Sequence, residues 1–313
     1  MQPLKLARTA AALSLAFCAT AAAQVFPSKP IRLTIGTVPG GAVDVLARAL
    51  GEGMSAHLGS PVVPITREGA NGSIAVAHVA QSPADGYTVG FTGAGPFVSQ
   101  PFMRTDLPYS VADIDFLCQV FEIPVALVVP ADSPLRTLED FIAAAKTRPG
   151  KLNVGHGGLG SIPHLAIAQL EKHADIKLNL IAYKGDADQT TAVLGKHLDA
   201  AVPGVSSISN KPVRVLAIFA AERAETHPDV PTVKESGYDV VKVGMVGLYT
   251  RKGVPSPARE KLVAACKTAS ESDGYRRASA KIGQSVKYLN SEQWSARITE
   301  DARQNRAVVE VLK

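Results

Sequence analysis

The chain is poor in the residues that build metal centres, disulfide scaffolds and nucleic-acid surfaces. It has 3 cysteines, and its 7 histidines show no His-Glu-x-x-His or other metal-ligand spacing. The 33 Lys and Arg residues barely outnumber the 28 Asp and Glu residues, and they form no basic stripe. No Gly-x-Ser-x-Gly nucleophile elbow occurs. We therefore expect no metal, no cofactor, no nucleic-acid partner and no catalytic serine.

The N-terminus predicts secretion. Basic residues precede an apolar run over 10–19, and three alanines at 21–23 fit the small-residue rule for signal cleavage. The run is too short for a bilayer, which takes about 20 apolar residues, and no later stretch is long enough. We expect residues 1–23 to be removed as a signal peptide, leaving a monomer that begins at Gln24 in the periplasm of a Gram-negative bacterium. The bulky residue before Cys18 disfavours the alternative of lipid attachment there.

Two cysteines remain after such cleavage, Cys118 and Cys266. An oxidising compartment permits a disulfide between them, but a pair so far apart in sequence has no local signature. Both lie in apolar surroundings, and we expect them to be buried free thiols.

Two glycine-rich loops are the most informative positive feature. The first spans 36–41 after the apolar strand 31–35, and the second spans 155–160 after the strand 152–154. Each precedes an amphipathic helix. Glycines let backbone N–H groups converge on a ligand, and a helix start adds roughly half a positive charge. Two such anion sites facing each other across a cleft suit a small dicarboxylate held at both ends.

Strands and helices alternate along the chain, which predicts parallel sheets flanked by helices. Because the strand, glycine loop and helix occur twice, we expect two α/β domains, with apolar runs 123–129 and 243–249 as the crossovers between them. The first domain is then discontinuous, over 24–126 and 248–313, and the second covers 127–247. Expected strands are 31–35, 62–65, 87–92, 152–154, 178–181, 200–202, 213–218 and 243–249; expected helices are 43–58, 74–79, 138–146, 163–172, 189–194, 258–270, 273–282 and 291–312.

Several polar residues near these loops admit two interpretations each. Asp44, in the first turn of its helix, either complements the helix dipole or holds the loop or a water in the site. Ser161 is an N-cap whose hydroxyl also suits a ligand, and Ser206 follows a strand at the edge where open α/β sheets bind ligands. His156 and Tyr183 lie next to the second loop, either contacting a ligand or packing.

A nucleotide site is a competing interpretation of the second loop. Gly155, Gly157 and Gly160 match the Gly-x-Gly-x-x-Gly fingerprint between a strand and a helix. The strand ending at Ile181 lacks the acidic residue that should follow it, and secretion is a poor setting for an NAD enzyme. A secreted α/β enzyme, NAD-linked or hydrolytic, is therefore the less favoured alternative.

Six motifs, in order along the whole mature length, resemble the periplasmic solute receptors of tripartite tricarboxylate transporters, the TctC or Bug (Bordetella uptake gene) family. They are Pro27-Ser28-Lys29-Pro30-Ile31-Arg32-Leu33, Pro39-Gly40-Gly41-Ala42-Val43-Asp44-Val45-Leu46-Ala47-Arg48, Pro83-Ala84-Asp85-Gly86-Tyr87-Thr88, Pro149-Gly150-Lys151-Leu152-Asn153, Tyr183-Lys184-Gly185 and Pro228-Asp229-Val230-Pro231-Thr232-Val233.

The resemblance implies a two-lobed, type II-like periplasmic binding protein, with a mixed sheet flanked by helices in each lobe. It implies a carboxylate ligand in the cleft between the lobes, membrane permease subunits as partners, no cofactor and no catalysis. A receptor for a sensor partner is an alternative. The candidate ligand-binding residues are Val38, Gly40, Gly41, Asp44, Thr92, Gly93, Ala94, His156, Gly160, Ser161, His164, Tyr183, Val205 and Ser206.

The chain departs from the family pattern at three places near the presumed ligand. A Phe-Asp-Asn-like run is replaced by residues 203–206, an Asn- and Thr-rich segment by 93–97, and an Ala-Ser pair by Gly155 and His156. These departures leave the particular acid undetermined.

Overall fold

The computed structural model describes residues 26–312, with side chains to residue 309. The predicted signal segment 1–23 and Cys18 lie outside the described residues. The strands are β1 (Ile31–Ile35), β2 (Val62–Thr66), β3 (Thr88–Gly93), β4 (Ile114–Pro124), β5 (Ala126–Pro130), β6 (Asn153–His156), β7 (Asn179–Ala182), β8 (Ala200–Ala201), β9 (Val213–Ile218), β10 (Val243–Arg251) and β11 (Val286–Leu289). The helices are α1 (Ala42–Leu58), α2 (Ser73–Ala80), α3 (Gly95–Val98), α4 (Gln100–Met103), α5 (Leu138–Thr147), α6 (Ile162–Ala174), α7 (Asp186–Leu194), α8 (Ser256–Ser270), α9 (Asp273–Lys281) and α10 (Ser291–Leu312).

Lobe 1 is built on a six-stranded sheet in the order β11-β4-β10-β3-β1-β2. β1 runs parallel to β2 and β3, whereas β10 is antiparallel to β3 and β4. One face packs on α1, α8 and α9, and the other on α2, α3 and α10. In α1 the apolar residues Leu46, Leu50 and Met54 lie three or four positions apart, so they share one buried face. The helix ends at Gly59 in the left-handed conformation.

Lobe 2 is built on a five-stranded sheet in the order β7-β6-β8-β5-β9. β6 is parallel to β7 and β8, and β5 is antiparallel to β8 and β9. Helices α5 and α6 bury their apolar faces on one side, and α7 does so on the other. Both lobes are thus mixed sheets flanked by helices, and the two-lobed α/β fold predicted from the sequence is confirmed.

The two connections between the lobes lie side by side. The first is short, because β4 ends at Pro124 in lobe 1 and β5 begins at Ala126 in lobe 2. On the second, the N–H of Phe219 donates to the carbonyl of Val125, and the N–H of Lys242 donates to the carbonyl of Phe219. The chain therefore crosses twice through one narrow neck.

The second crossover differs from the sequence expectation. β10 pairs with β4 and β3 from Val243 onward, so the run 243–249 lies wholly in the lobe 1 sheet. The passage out of lobe 2 precedes that run, and the expected boundary at 247 falls inside a strand. An apolar run indicates a buried strand but not the sheet to which the strand belongs.

The free-thiol expectation for the two cysteines is wrong. Cys118 in β4 and Cys266 in α8 are both buried, as expected, but they form a disulfide with their Cα atoms 6.7 Å apart. The bond joins a central strand of lobe 1 to a covering helix, across a sequence separation of 148. Within residues 26–312, no helix is both long and apolar enough to cross a bilayer.

Candidate functional site

Both glycine loops lie at the carboxyl ends of parallel strands, each at the start of a helix. The first joins β1 to α1, and the second joins β6 to α6. An α-helix leaves the N–H groups of its first turn without intrahelical acceptors. The N-cap of α1 is Gly41, which has no side chain to satisfy them, whereas the N-cap of α6 is Ser161. The two loops thus present helix N-termini, one from each lobe.

The first loop is held in shape by Asp44. One carboxylate oxygen of Asp44 accepts a hydrogen bond from the N–H of Gly40 (2.9 Å), and Arg48 pairs with the same carboxylate at 2.9 Å. Burial raises the pKa of Asp44, but the hydrogen bonds from Arg48 and Gly40 outweigh it, so its pKa is lowered. Asp44 is therefore a carboxylate already neutralised by Arg48, and it uses the N–H of Gly40 rather than leaving it for an anion.

The tips of the two loops are exposed apolar residues. Val38 in the first loop is 57% exposed, and Leu159 in the second is 63% exposed. Gly41 has an ordinary φ of −74°, and a Cβ built on it would meet only the carbonyl of Val38, at 3.7 Å. The backbone at the start of α1 is therefore open on the side away from its own loop.

The end of β3 packs against the first loop. The Thr92 side chain lies against both Gly36 and Gly72, where an added Cβ would stand 2.7 and 2.5 Å from its hydroxyl oxygen. Gly93 is half-buried and pairs with β10, and the N–H of Ala94 donates to the carbonyl of Met245 at 2.8 Å. Thr92 and Gly93 border the site, but Ala94 has no N–H to offer a ligand.

The second loop carries two stacked histidines. The rings of His156, at the end of β6, and His164, in α6, lie 4.3 Å apart at 16°. Nδ1 of His156 lies 3.1 Å from the carbonyl of Gly158, and Nδ1 of His164 accepts from the N–H of Gly160 at 3.0 Å. Burial, with the charge of His156 second, lowers the pKa of His164 to about 4, and burial also lowers the pKa of His156. Both rings are neutral at pH 7.

Ser161 caps α6, since its Oγ accepts from the N–H of His164 at 3.3 Å. An accepting hydroxyl still has its proton to donate. Gly160, in contrast, is fully engaged: its N–H donates to His164, and its carbonyl accepts from Ser99 of lobe 1. A Cβ on Gly160 would collide with the sulfur of Met103, so this glycine is a contact between lobes.

Three other predicted residues follow strands of lobe 2: Tyr183 comes directly after β7, and Val205 and Ser206 come after β8. The N–H of Tyr183 donates to the carbonyl of His156 at 2.8 Å, and its ring is half-buried against lobe 2. Val205 is buried, and Ser206 is half-buried in the turn that follows β8. Asp186 fixes this turn, because its carboxylate accepts from the N–H of Gly204 (2.9 Å) and the hydroxyl of Ser207 (3.0 Å).

The structure adds residues that sequence reasoning missed. Ser99 Oγ donates to the carbonyl of Gly160 at 2.7 Å, and Gln100 Nε2 reaches the carbonyl of Leu159 at 3.4 Å. Both come from lobe 1, and Pro96 of the same segment lies against Gly72, next to the first loop. Contact is therefore continuous from the first loop through residues 95–103 to the second. No local sequence pattern marks Ser99 as part of the site. The glycine-rich turn Gly69-Ala70-Asn71-Gly72, which follows β2 and packs against Gly95 and Pro96, is the sequence feature that could have indicated this region.

The residues of the site favour an anion over a metal ion as ligand. Across the described side chains, no three His, Cys, Asp or Glu groups are placed to hold a metal ion. The two loops instead offer the uncapped backbone N–H groups at the start of α1, the Ser161 hydroxyl and the ring N–H of His164. Such donors suit a small anion, because they replace its water without adding a mobile charge.

Two α/β lobes joined at one neck, each with a glycine-rich loop that leads from a parallel strand into a helix N-terminus, have the architecture of periplasmic solute-binding receptors. Residues 46–313 match the family described as the tripartite tricarboxylate transporter family receptor, TctC. The chain is 33% identical over 325 residues to a UPF0065 protein in the gbd 5′ region of Cupriavidus necator, covering 98% of this chain and 95% of that protein. The chain belongs to this family, and the resemblance seen in its motifs is confirmed.

Solved structures of related proteins have the same fold. A TctC solute-binding protein from Polaromonas has a TM-score of 0.76 at 29% identity, over 91% of this chain and 99% of that one. Two Rhodopseudomonas palustris proteins, one solved with adipate and one, MatC, with malate, share the fold at 23% identity. Their TM-scores are 0.81 and 0.79, over 91% of this chain and 97% and 100% of theirs.

Proposed function

We propose that this receptor captures a small organic carboxylate in the cleft between its lobes and delivers it to the membrane subunits of a tripartite tricarboxylate transporter. The observation that supports the proposal is the pair of glycine loops, one in each lobe, each leading into the N-terminus of a helix. The adipate and malate in the two R. palustris structures are ligands of this chemical class.

The residues divide into donors and supports. In the first loop, the ligand carboxylate accepts from the uncapped N–H groups that follow Gly41, while Asp44 and Gly40 hold the loop. In the second, it accepts from the Ser161 hydroxyl. Because these donors are already oriented, the carboxylate leaves water without a cost in side-chain entropy. Thr92, Gly93, Val38, Val205 and Ser206 shape the cavity, and Gly160 closes it.

The same proposal covers location and mode of action. Removal of residues 1–23 leaves a monomeric receptor in the periplasm, where it acts by binding and not by catalysis. Lobe 1 comprises the chain before the neck and after it, and lobe 2 comprises the chain between. Closure of the lobes about the neck completes the donor set around the ligand.

Binding by the mature chain, from Gln24, tests the proposal. Thermal shift followed by calorimetry is run with C4–C8 dicarboxylates, aromatic acids and acidic amino acids, and with NAD and EDTA as controls. We expect at least one acid to raise the melting temperature and to bind equally well in EDTA. Stabilisation by NAD with no response to any acid would refute the proposal, and so would binding that EDTA abolishes.

A further inference from the structure

The stacked histidines have opposite hydrogen-bonding character. A carbonyl oxygen only accepts, so the contact of His156 Nδ1 with Gly158 places the ring proton on Nδ1 and leaves Nε2 bare. A backbone N–H only donates, so the bond from Gly160 leaves His164 Nδ1 bare and places its proton on Nε2. The pair therefore presents one acceptor, on His156, and one donor, on His164.

Both Nε2 atoms are unpaired and reachable. Among the described residues, no group hydrogen-bonds either of them, and neither belongs to the fully enclosed side-chain atoms that lack a partner. The residues themselves are only 3% and 4% exposed, so the opening to solvent is narrow. Because the rings stack on one another beside the second loop, a ligand held at this loop meets a free acceptor on one ring and a free donor on the other.

We infer that His156 is a specificity-determining residue, which selects acids that carry a hydroxyl or ammonium group next to a carboxylate. The inference rests on the proposed function, since it assumes a carboxylate in this cleft. The carboxylate accepts from Nε2–H of His164, and the neighbouring hydroxyl or ammonium donates to Nε2 of His156.

The electrostatics favour this division of roles. A bare imidazole nitrogen repels a carboxylate oxygen, so an acid without a donor leaves His156 unpaired when it displaces water. Protonation would turn Nε2 into a donor, but burial lowers the pKa of His156 and keeps it neutral at pH 7.

Matched acids test the inference in the wild-type receptor by calorimetry at neutral pH. Malate is compared with succinate, 2-hydroxyglutarate with glutarate and 2-hydroxyadipate with adipate, because each pair differs only in a hydroxyl; aspartate probes the ammonium. We expect the hydroxy acid of the chain length that fits to bind about tenfold more tightly, the factor that one hydrogen bond supplies. Equal binding within every pair overturns the inference but leaves the proposed function standing. Failure of these acids and of every other acid in the thermal-shift screen overturns both.

Two variants and one spectrum assign the effect to His156. His156→Phe keeps a ring to stack on His164 and removes the acceptor, so the preference should fall to within about twofold. His173→Gln, at the exposed far end of α6, should retain it. In the wild-type protein, the ¹⁵N shift of the bare His156 Nε2 should move on adding the hydroxy acid and not its parent. Discrimination retained by His156→Phe, or an unmoved Nε2 signal, would refute the assignment.

Discussion

Substitution of Ser99 measures how much closure of the two lobes contributes to the affinity for ligand. Its hydroxyl, fully buried, donates to the carbonyl of Gly160 across the cleft at 2.7 Å. The carbonyl of Gly95, four residues back in its own segment, lies 3.0 Å from the same oxygen. One hydroxyl has one proton to donate, so in the proposed opening of the lobes Ser99 loses its bond to Gly160 and donates to the carbonyl of Gly95 instead.

The expected loss of ligand affinity follows from this change of hydrogen-bond acceptor. Ser99→Ala removes the bond between lobes in the closed state and a weaker local bond in the open one. The difference lies within the usual net value of a hydrogen bond, about 0.5–1.5 kcal/mol. If the ligand binds the closed state, as proposed above, affinity should fall by about 2- to 12-fold. The free energy of unfolding of the empty receptor should change less.

A matched control separates closure from local packing. Ser82 Oγ also donates to a carbonyl four residues back, that of His78 at 2.7 Å, within lobe 1. Calorimetry on Ser99→Ala and Ser82→Ala, with small-angle scattering for lobe closure, gives the comparison. Wild-type affinity in Ser99→Ala, or equal losses in both variants, would show that this contact does not couple closure to binding.

Gly41→Ala should fold normally, because the new methyl group has room. It should nevertheless lower ligand affinity by about tenfold, or 1.4 kcal/mol, because the methyl group obstructs the start of α1. Gly274→Ala in α9 is the control, and unchanged affinity by calorimetry in Gly41→Ala would mean that the ligand binds elsewhere. The pKa of His164 is about 4 in the folded protein, against 6.5 for an ordinary histidine. The stability that this shift contributes is present above pH 6.5 and is lost as pH falls toward 4, by about 2 kcal/mol at pH 5. Urea unfolding of His164→Asn should lack this loss, and an equal dependence of its free energy of unfolding on pH would contradict the prediction. Replacing Cys118 and Cys266 together by Ala should lower the free energy of unfolding by up to about 5 kcal/mol. Thiol titration of the unfolded wild-type chain from Gln24 should find no free thiol, and two free thiols would refute the bond.

Most of the fold was readable from the sequence because its elements are strongly periodic. β1 was predicted with its observed bounds, and α1 within one residue, since its apolar residues recur at helical spacing. The strand β11 was missed, because four residues between two helices carry too little pattern. β4 was predicted only at its end, because Asp115, Gln119 and Glu122 interrupt its apolar run.

The site was less predictable, since its key contacts join distant residues. The two glycine loops and the cap by Ser161 are local, and local patterns predicted them. The bond from Ser99 to Gly160 spans 61 residues and two lobes, and the disulfide spans 148. Likewise, the sequence placed His156 near the loop, but its stacking on His164 depends on how β6 meets α6. Such contacts exist only once the lobes are folded and facing.

The bond between Cys118 and Cys266 closes a covalent ring that contains all of lobe 2. A protease that cuts one exposed loop of lobe 2, such as the one at Arg223, opens this ring without releasing either fragment. The two pieces stay joined inside the core of lobe 1, so a nicked receptor should migrate as one chain until it is reduced. In the proposed periplasmic location, the disulfide therefore keeps lobe 1 in one covalent piece when a protease cuts lobe 2.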